Sequence, residues 1–503
     1  MFDLINNLAL GFSVAFSAQN LFFCLVGALV GTLVGVLPGV GTVATIAMLL
    51  PITFGLPPVG ALIMLAGIYY GAQYGGSTTS ILVNIPGEAT SVVTTLDGFQ
   101  MAKQGRAGKA LAMAAIGSFI AGCFATILVA ALGAPLTSVA LLFGPTEYFS
   151  LMVLGLIFAV VLAKGSVVKA LAMIAFGLLL AVVGSDLETG AGRMTFDLPE
   201  LADGIGFANV AMGVFGFAEI IRNLEGSSED RQLVQGKITG LMPTWDDLKS
   251  CFGAIARGTG IGSLLGILPG GGAVIASFAA YTFEKKMSKD PSQFGRGAIQ
   301  GVAAPESANN AAAQTSFIPL LTLGIPPNAV MALMVGAMTI HGIVPGPQVM
   351  TKQPDLFWGM IASMWLGNLM LVVINLPLVG IWVQLLRVPY RLMYPSILVF
   401  CCIGIYSINN SPWDVVMAGV FGLVGYWLIK HDFEPAPMLL GFVLGPLMEE
   451  NLRRAMLISR GSAAVFFTRP ISAVLLAISA LLLIVAVLPM IRKRREEVFV
   501  EES

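Results

Sequence analysis

The sequence predicts an all-α polytopic membrane protein: two inverted-topology repeats with broken, re-entrant helical hairpins, and about 10–13 transmembrane segments. Three observations carry this reading. Charged residues are 11% of the 503, hydrophobic residues 56%, and the mean hydropathy is +0.87. A soluble domain carries roughly 25% charged residues and needs that polar surface to stay in solution. A glycine–proline signature occurs twice in the same order. The basic loops of the two halves alternate in opposite phase.

Apolar stretches fall near 20–36, 41–54, 59–96, 110–134, 146–163, 166–184, 207–221, 252–268, 272–283, 297–340, 356–385, 392–409, 411–429, 434–448 and 471–491. Several are too short, or too interrupted by Gly and Pro, to be plain spans of about 20 residues. The 58 Gly and 27 Pro fit close-packed and broken helices in lipid. The chain divides into an N-terminal segment 1–19, a first repeat 20–222, a cytoplasmic linker 223–250 and a second repeat 251–448. A connecting segment 449–470, a C-terminal helix 471–491 and a tail 492–503 follow. The tail opens with Arg492-Lys493-Arg494-Arg495, a basic stop expected on the cytoplasmic side. Met1-Phe2-Asp3-Leu4 has no basic region, so no cleaved signal peptide is expected.

The repeat is read from two signatures. Gly31-x-x-x-Gly35-x-Leu37-Pro38-Gly39-x-Gly41 recurs 231 residues later as Gly262-x-x-x-Gly266-x-Leu268-Pro269-Gly270-x-Gly272. Asn84-Ile85-Pro86-Gly87-x-Ala89 recurs 240 residues later as Gly324-Ile325-Pro326-Pro327-x-Ala329. In the first half the basic loop (Lys103, Arg106, Lys109) follows the second signature. In the second half the basic loop (Lys285, Lys286, Lys289, Arg296) precedes it. Positive loops stay inside, so the halves lie in opposite orientation. Lys164 and Lys169, Arg387 and Arg391, and Lys430 continue the alternation, with the acidic 186–203 outside. Arg453, Arg454, Arg460 and Arg469 do not fit, since the alternation places them outside.

The breaks and polar clusters carry the chemistry. Pro removes a donor and Gly tolerates positive φ, so Leu37-Pro38-Gly39 and Leu268-Pro269-Gly270 should open their helices into hairpin tips. Open backbone inside a bilayer is tolerated only where protein or water satisfies it. Pro38, Gly39, Gly41, Pro269, Gly270 and Gly272 are therefore candidate ion-site or hinge residues. GxxxG faces such as Gly27/Gly31/Gly35 also serve close packing. The densest polar cluster of the first half is Gly75-Gly76-Ser77-Thr78-Thr79-Ser80, then Asn84, Pro86, Gly87 and Glu88. Its sequence reads as a helix N-terminus with exposed N–H donors, suited to an anion. In the second half Glu306, Ser307, Asn309 and Asn310 precede Pro326. Polar groups at membrane depth are costly and usually functional, although buried hydroxyls also bond back to their own helix. No Lys or Arg lies in either cluster. A bound polycarboxylate would need accompanying cations, which favours cation-coupled symport over uniport. Glu88 and Glu306 could titrate, accompany a cation or cap helices.

Other functions have less support. A net charge of −1 gives no field for nucleic acid. Five Cys without a CxxC pair and two His without HExxH point to no metal beyond possible Na⁺. Gly258-x-Gly260-x-Gly262 lacks a preceding strand and a following Lys-Ser/Thr, so no nucleotide or other cofactor is expected. A passive anion channel would need a continuous polar path rather than two clusters. An intramembrane serine hydrolase would take Ser77 as nucleophile and His341 as base, but no orienting acid is apparent. The chain is expected not to be an enzyme.

Gly35-Val36-Leu37-Pro38-Gly39, Tyr74 to Ser80, Asn84 to Glu88, Pro305-Glu306-Ser307-Ala308-Asn309-Asn310-Ala311 and Leu323-Gly324-Ile325-Pro326 resemble the large membrane subunit of the tripartite tricarboxylate transporter family (TctA type). The resemblance covers about residues 20–490. The second Pro-Gly element usually reads Gly-Ile-Pro-Gly in that family, whereas this chain has Pro327. The resemblance implies a multi-pass protein of the bacterial inner membrane. It implies cation-driven uptake of citrate or a related carboxylate, together with a small transmembrane subunit and a periplasmic substrate-binding protein. The substrate site is then expected between Ser77–Gly87 and Glu306–Pro326.

Overall fold

The computed structural model describes residues 2–37, 41–163, 166–186, 189–225, 240–268, 272–386 and 390–487. Pro38, Gly39, Pro269, Gly270, Lys164, Arg387 and the basic tail lie outside the described residues. Within them the chain is almost wholly helical. Strand is confined to the antiparallel pair Gly184–Ser185 and Gly192–Arg193. Five described helices are long and apolar enough to cross a bilayer: Ala18–Val36, Ala107–Ala140, Pro354–Asn375, Pro412–Lys430 and Pro470–Val487. The remaining apolar helices are shorter, as expected where Gly and Pro interrupt them. Cys24, Cys123, Cys251, Cys401 and Cys402 are all free thiols.

The helices that build the site are, in the first half, α1 (Ala18–Val36), α2 (Thr42–Thr53), α3 (Pro58–Val83), α4 (Val92–Lys103) and α5 (Ala107–Ala140). The second half supplies α6 (Trp245–Gly266), α7 (Gly272–Met287), α8 (Gln300–Thr315), α9 (Phe317–Leu323), α10 (Ala329–Ile340) and α11 (Pro354–Asn375). A later helix, α12, spans Pro435–Ile458.

Glycine spacing sets the packing of the first three helices. Gly27 lies on Met64, Gly31 on Ile68 and Gly35 on Ala72, and a Cβ at any of these glycines would stand 2.3 Å from the partner's carbonyl oxygen. Only hydrogen fits there. Each partner is 37 residues further along the chain, so α1 and α3 run parallel. The intervening α2 must therefore run back, so that α1 and α2 form a hairpin, with α1 ending at Val36 and α2 starting at Thr42. The second half repeats the design. Gly258, Gly262 and Gly266 lie on Ala304, Ala308 and Ala312, where a Cβ would meet carbonyl oxygens at 2.3, 2.2 and 2.5 Å. Backbones this close gain dispersion and weak Cα–H···O contacts without any hydrophobic drive.

Here the spacing is 46 residues rather than 37. The nine extra residues match the step between the sequence offsets 231 and 240. Most of them lie in the loop 288–299, eight residues longer than its counterpart 54–57. That loop is fastened to the first half. Asp97 of α4 accepts N–H bonds at Oδ1 from Gly295 (2.9 Å), Gly297 (2.8 Å) and Ala298 (2.8 Å). The Tyr281 hydroxyl donates to Asp97 Oδ2 at 2.9 Å.

The second signature also has one backbone form in both halves. α3 ends at Asn84 with φ +60°, and α9 ends at Gly324 with φ +75°. Pro86 and Pro326 follow. Glu88 and Asn328 then cap the next helical turns. Ser77 of α3 bonds Glu306, and the Tyr70 ring meets Phe317 edge-on. Hence α3 runs antiparallel to the α8–α9 pair.

Three of the four arginines that break the loop alternation are held by acids. Arg453 pairs with Asp186 (2.5 Å) and Glu449 (2.6 Å), and Arg193 joins the same cluster. Arg454 pairs with Glu450 and Arg469 with Glu147. The acids come from the segment 186–203 (Asp186), from the stretch itself (Glu449, Glu450) and from Glu147. Helix α12 runs through position 448–449 without a break.

Candidate functional site

Glu306 sits where the halves cross. It is 1% exposed, and both carboxylate oxygens are held by first-half hydroxyls. Ser77 Oγ donates to Oε2 at 2.6 Å, and the Thr94 hydroxyl donates to Oε1. Among the described residues Glu306 is in no salt bridge. Asn310, one turn along α8, donates from Nδ2 to Ser118 Oγ of α5 at 2.7 Å and to the Glu306 carbonyl at 3.1 Å. Ser307 donates to the Ala303 carbonyl and packs on Gly117, where a Cβ would lie 2.8 Å from its Oγ. Asn309 and Gln314 are fully buried, and neither atom of either amide has a partner.

Gly75–Ser80 is not a helix N-terminus. It lies in the C-terminal part of α3, so its amides are taken up by the helix. Three of its hydroxyls bond back: Ser77 to the Gln73 carbonyl, Thr78 to Tyr74 and Thr79 to Gly75. The glycine pair serves close approach. A Cβ on Gly75 would meet the Thr32 carbonyl at 2.4 Å, and one on Gly76 would meet Glu88 Cγ at 3.2 Å. Thr79 also donates to the Val36 carbonyl at 2.8 Å, satisfying the end of α1. Ser80 bonds Ser91 at 2.9 Å.

The breaks divide by role. Asn84 is exposed and in the left-handed conformation; Gly324 holds the matching place, so this position is used for backbone shape. Pro86 is half-buried and Pro326 buried. Gly87 is wedged between helices, since its Cβ would meet the Gly35 carbonyl at 2.2 Å and Gly76 Cα at 2.6 Å. Glu88 caps its turn with Ser91 and leaves Oε1 unpartnered. Tyr69 lies in hydrogen-bonding reach of Ser316 and Asn328 of the other half. Gly41, at φ +66°, opens α2, and Gly272 opens α7. Thus Ser77, Glu306 and Asn310 come together, while Asn84 stands apart.

Sequence reading missed part of the site. Thr94, Ser118 and Gln73, which accepts the Thr90 hydroxyl at 2.7 Å, complete the polar interior. Helix α11 adds Asn368 and Asn375, both buried. They are the signal that was available: two isolated amides, seven residues apart and so on one helix face, inside the apolar stretch 356–385. A cavity of about 10 Å³ lies between α3, α5 and α11, lined by Tyr74, Ser77, Thr78, Ser118 and Asn375 with a few apolar side chains. That volume suits one water-sized group and is closed to a carboxylate. The polar partners of Ser77 are Glu306 and the Gln73 carbonyl, whereas His341 lies against Thr53. A hydrolase nucleophile and its base are therefore not assembled.

Comparison with known proteins agrees with this architecture. Residues 21–440 match the tripartite tricarboxylate transporter TctA family. An uncharacterized 52.8 kDa protein from the TAR-I ttuC' 3' region of Agrobacterium vitis is 61% identical over 503 residues, all of both chains. A second uncharacterized protein of that organism, from the TAR-II ttuC' 3' region, is 64% identical over 242 residues, 48% of this chain and all of the relative. No solved structure matches significantly. With most of its length inside the family match, and with the paired hairpins falling within it, this chain belongs to the tripartite tricarboxylate transporter TctA family.

Proposed function

We propose that the chain is the large membrane subunit of a binding-protein-dependent secondary transporter of the bacterial inner membrane. It takes up citrate or a related carboxylate, driven by Na⁺ or H⁺. A periplasmic binding protein delivers the substrate, and a small transmembrane subunit completes the complex. The halves act as inverted repeats that alternate access around one site near the midplane.

The observation that carries this reading is the crossing at Glu306. Among the described residues, a buried carboxylate from one half is held only by hydroxyls of the other, where two helices with matching breaks run antiparallel. Two hydroxyl donors do not balance a buried negative charge, so the group calls for a proton or a metal cation. Cation binding would then alter the contact that joins the halves. The cavity is too small for a carboxylate in this conformation.

The test is uptake of radiolabelled citrate into proteoliposomes holding both membrane subunits, with the cognate binding protein outside. An imposed inward Na⁺ or pH gradient should drive citrate above its external concentration. Flux that only equilibrates citrate would identify a channel and overturn the proposal. A panel of other carboxylates, run in parallel, would locate the substrate if citrate is not moved.

A further inference from the structure

We propose that the small cavity between α3, α5 and α11 binds the coupling cation and that this cation is Na⁺; the inference rests on the transport reading above. The chemistry of the lining selects the occupant. Ser77 has one proton and commits it to Glu306 or to the Gln73 carbonyl. Thr78 donates to the Tyr74 carbonyl, and Ser118, which already accepts from Asn310, donates to the Glu306 carbonyl. The Asn375 amide nitrogen donates to the Leu371 carbonyl (2.9 Å) and to Thr32. Its Oδ1 has no partner. The lining residues thus carry four oxygens with lone pairs and no proton to offer. Only the Tyr74 hydroxyl, also unpartnered, has a proton free.

An anion is repelled by that lining, and the volume excludes a carboxylate. A water molecule could satisfy two of the oxygens but would leave Glu306 uncompensated behind Ser77. A small hard cation satisfies the oxygens and the charge together. No Arg or Lys lines the space. The walls belong to different halves, α3 and α5 to the first and α11 to the second. A cation held among them would draw the halves together, the coupling that a symporter needs. This places the ion beside Glu306 rather than at the Pro-Gly hairpin tips.

Two readouts test the site on the complex of both membrane subunits. One is the Na⁺ concentration for half-maximal citrate uptake. The other, independent of transport, is the rise in thermal midpoint when Na⁺ replaces choline. Asn375→Leu is expected to raise the half-maximal Na⁺ concentration about tenfold and to remove the Na⁺-dependent thermal shift, with Ser118→Ala weakening both by about threefold. Asn375→Asp keeps the oxygen and adds charge, so its Na⁺ requirement should equal or fall below wild type. The midpoint in choline controls for folding. Wild-type Na⁺ dependence in Asn375→Leu would overturn the site. So would citrate uptake driven by a pH gradient with no response to Na⁺ in rate or midpoint. A wild-type complex that moves no carboxylate but gains stability from Na⁺, with the gain lost in Asn375→Leu, would sink the transport reading and leave the ion site standing.

Discussion

Helices α3 and α8 hold the same place in the two halves and differ in almost every polar residue. The glycines of α1 and α6 that support them keep register one for one: Gly27, Gly31 and Gly35 against Gly258, Gly262 and Gly266. Across the 240-residue offset, however, Tyr69, Tyr70 and Tyr74 face Asn309, Asn310 and Gln314. Ala66 stands for Glu306, Phe317 for Ser77, and Asn328 for Glu88. The packing glycines of α1 and α6 are common to the halves, and the chemical residues are not. There is a physical reason. Backbone approach is governed by sterics that act equally in either orientation. A copy of Glu306 at Ala66 would instead stand eleven residues from Ser77, about 16 Å along α3, away from the hydroxyls that hold Glu306.

The common part should be the most costly to change. Gly31→Leu and Gly262→Leu each drive a side chain into a carbonyl 2.2–2.3 Å from the Cβ position, and each should cost roughly 3 kcal/mol or more. Gel filtration and thermal unfolding of the purified complex would show whether the two losses are equal. A well-folded Gly262→Leu protein would break the equivalence.

The unshared part comes next. Glu306→Gln removes the charge while keeping the shape, and should lower cation-driven uptake roughly 10- to 100-fold with little change in thermal midpoint. Ala66→Glu should not restore it, because the partner hydroxyls lie only around Glu306. Uptake recovered in the double variant would show the halves to be chemically interchangeable.

Asp97 belongs to the asymmetry of the loops. Asp97→Asn weakens a carboxylate that gathers three backbone N–H groups and a tyrosine hydroxyl, at about 1–3 kcal/mol. Faster proteolysis within 288–299, at unchanged rates elsewhere, would mark the released loop. The smallest effect concerns Asn84. At φ +60° glycine is at least as comfortable as asparagine, so Asn84→Gly should keep wild-type uptake and a midpoint within about 1 kcal/mol of wild-type stability. Lost uptake would return Asn84 to the substrate site.

The amino-acid sequence carries the membrane class, the positions of the helix breaks and the two offsets. Those properties are local: hydropathy, a missing N–H and a missing Cβ act where they stand. It marked Glu306 and Ser77 as costly groups at depth but not that they meet, since 229 residues separate them. Only the tertiary structure turned Gly75–Ser80 from an N-terminus into the late turns of a long helix, because the glycine pair is consumed by contact with α1 and Glu88. It also brought Asn375 to Ser118 and Tyr74, and set Arg453 against Asp186. Which donors remain free after folding is a property of all the helices together, and that decided the character of the site.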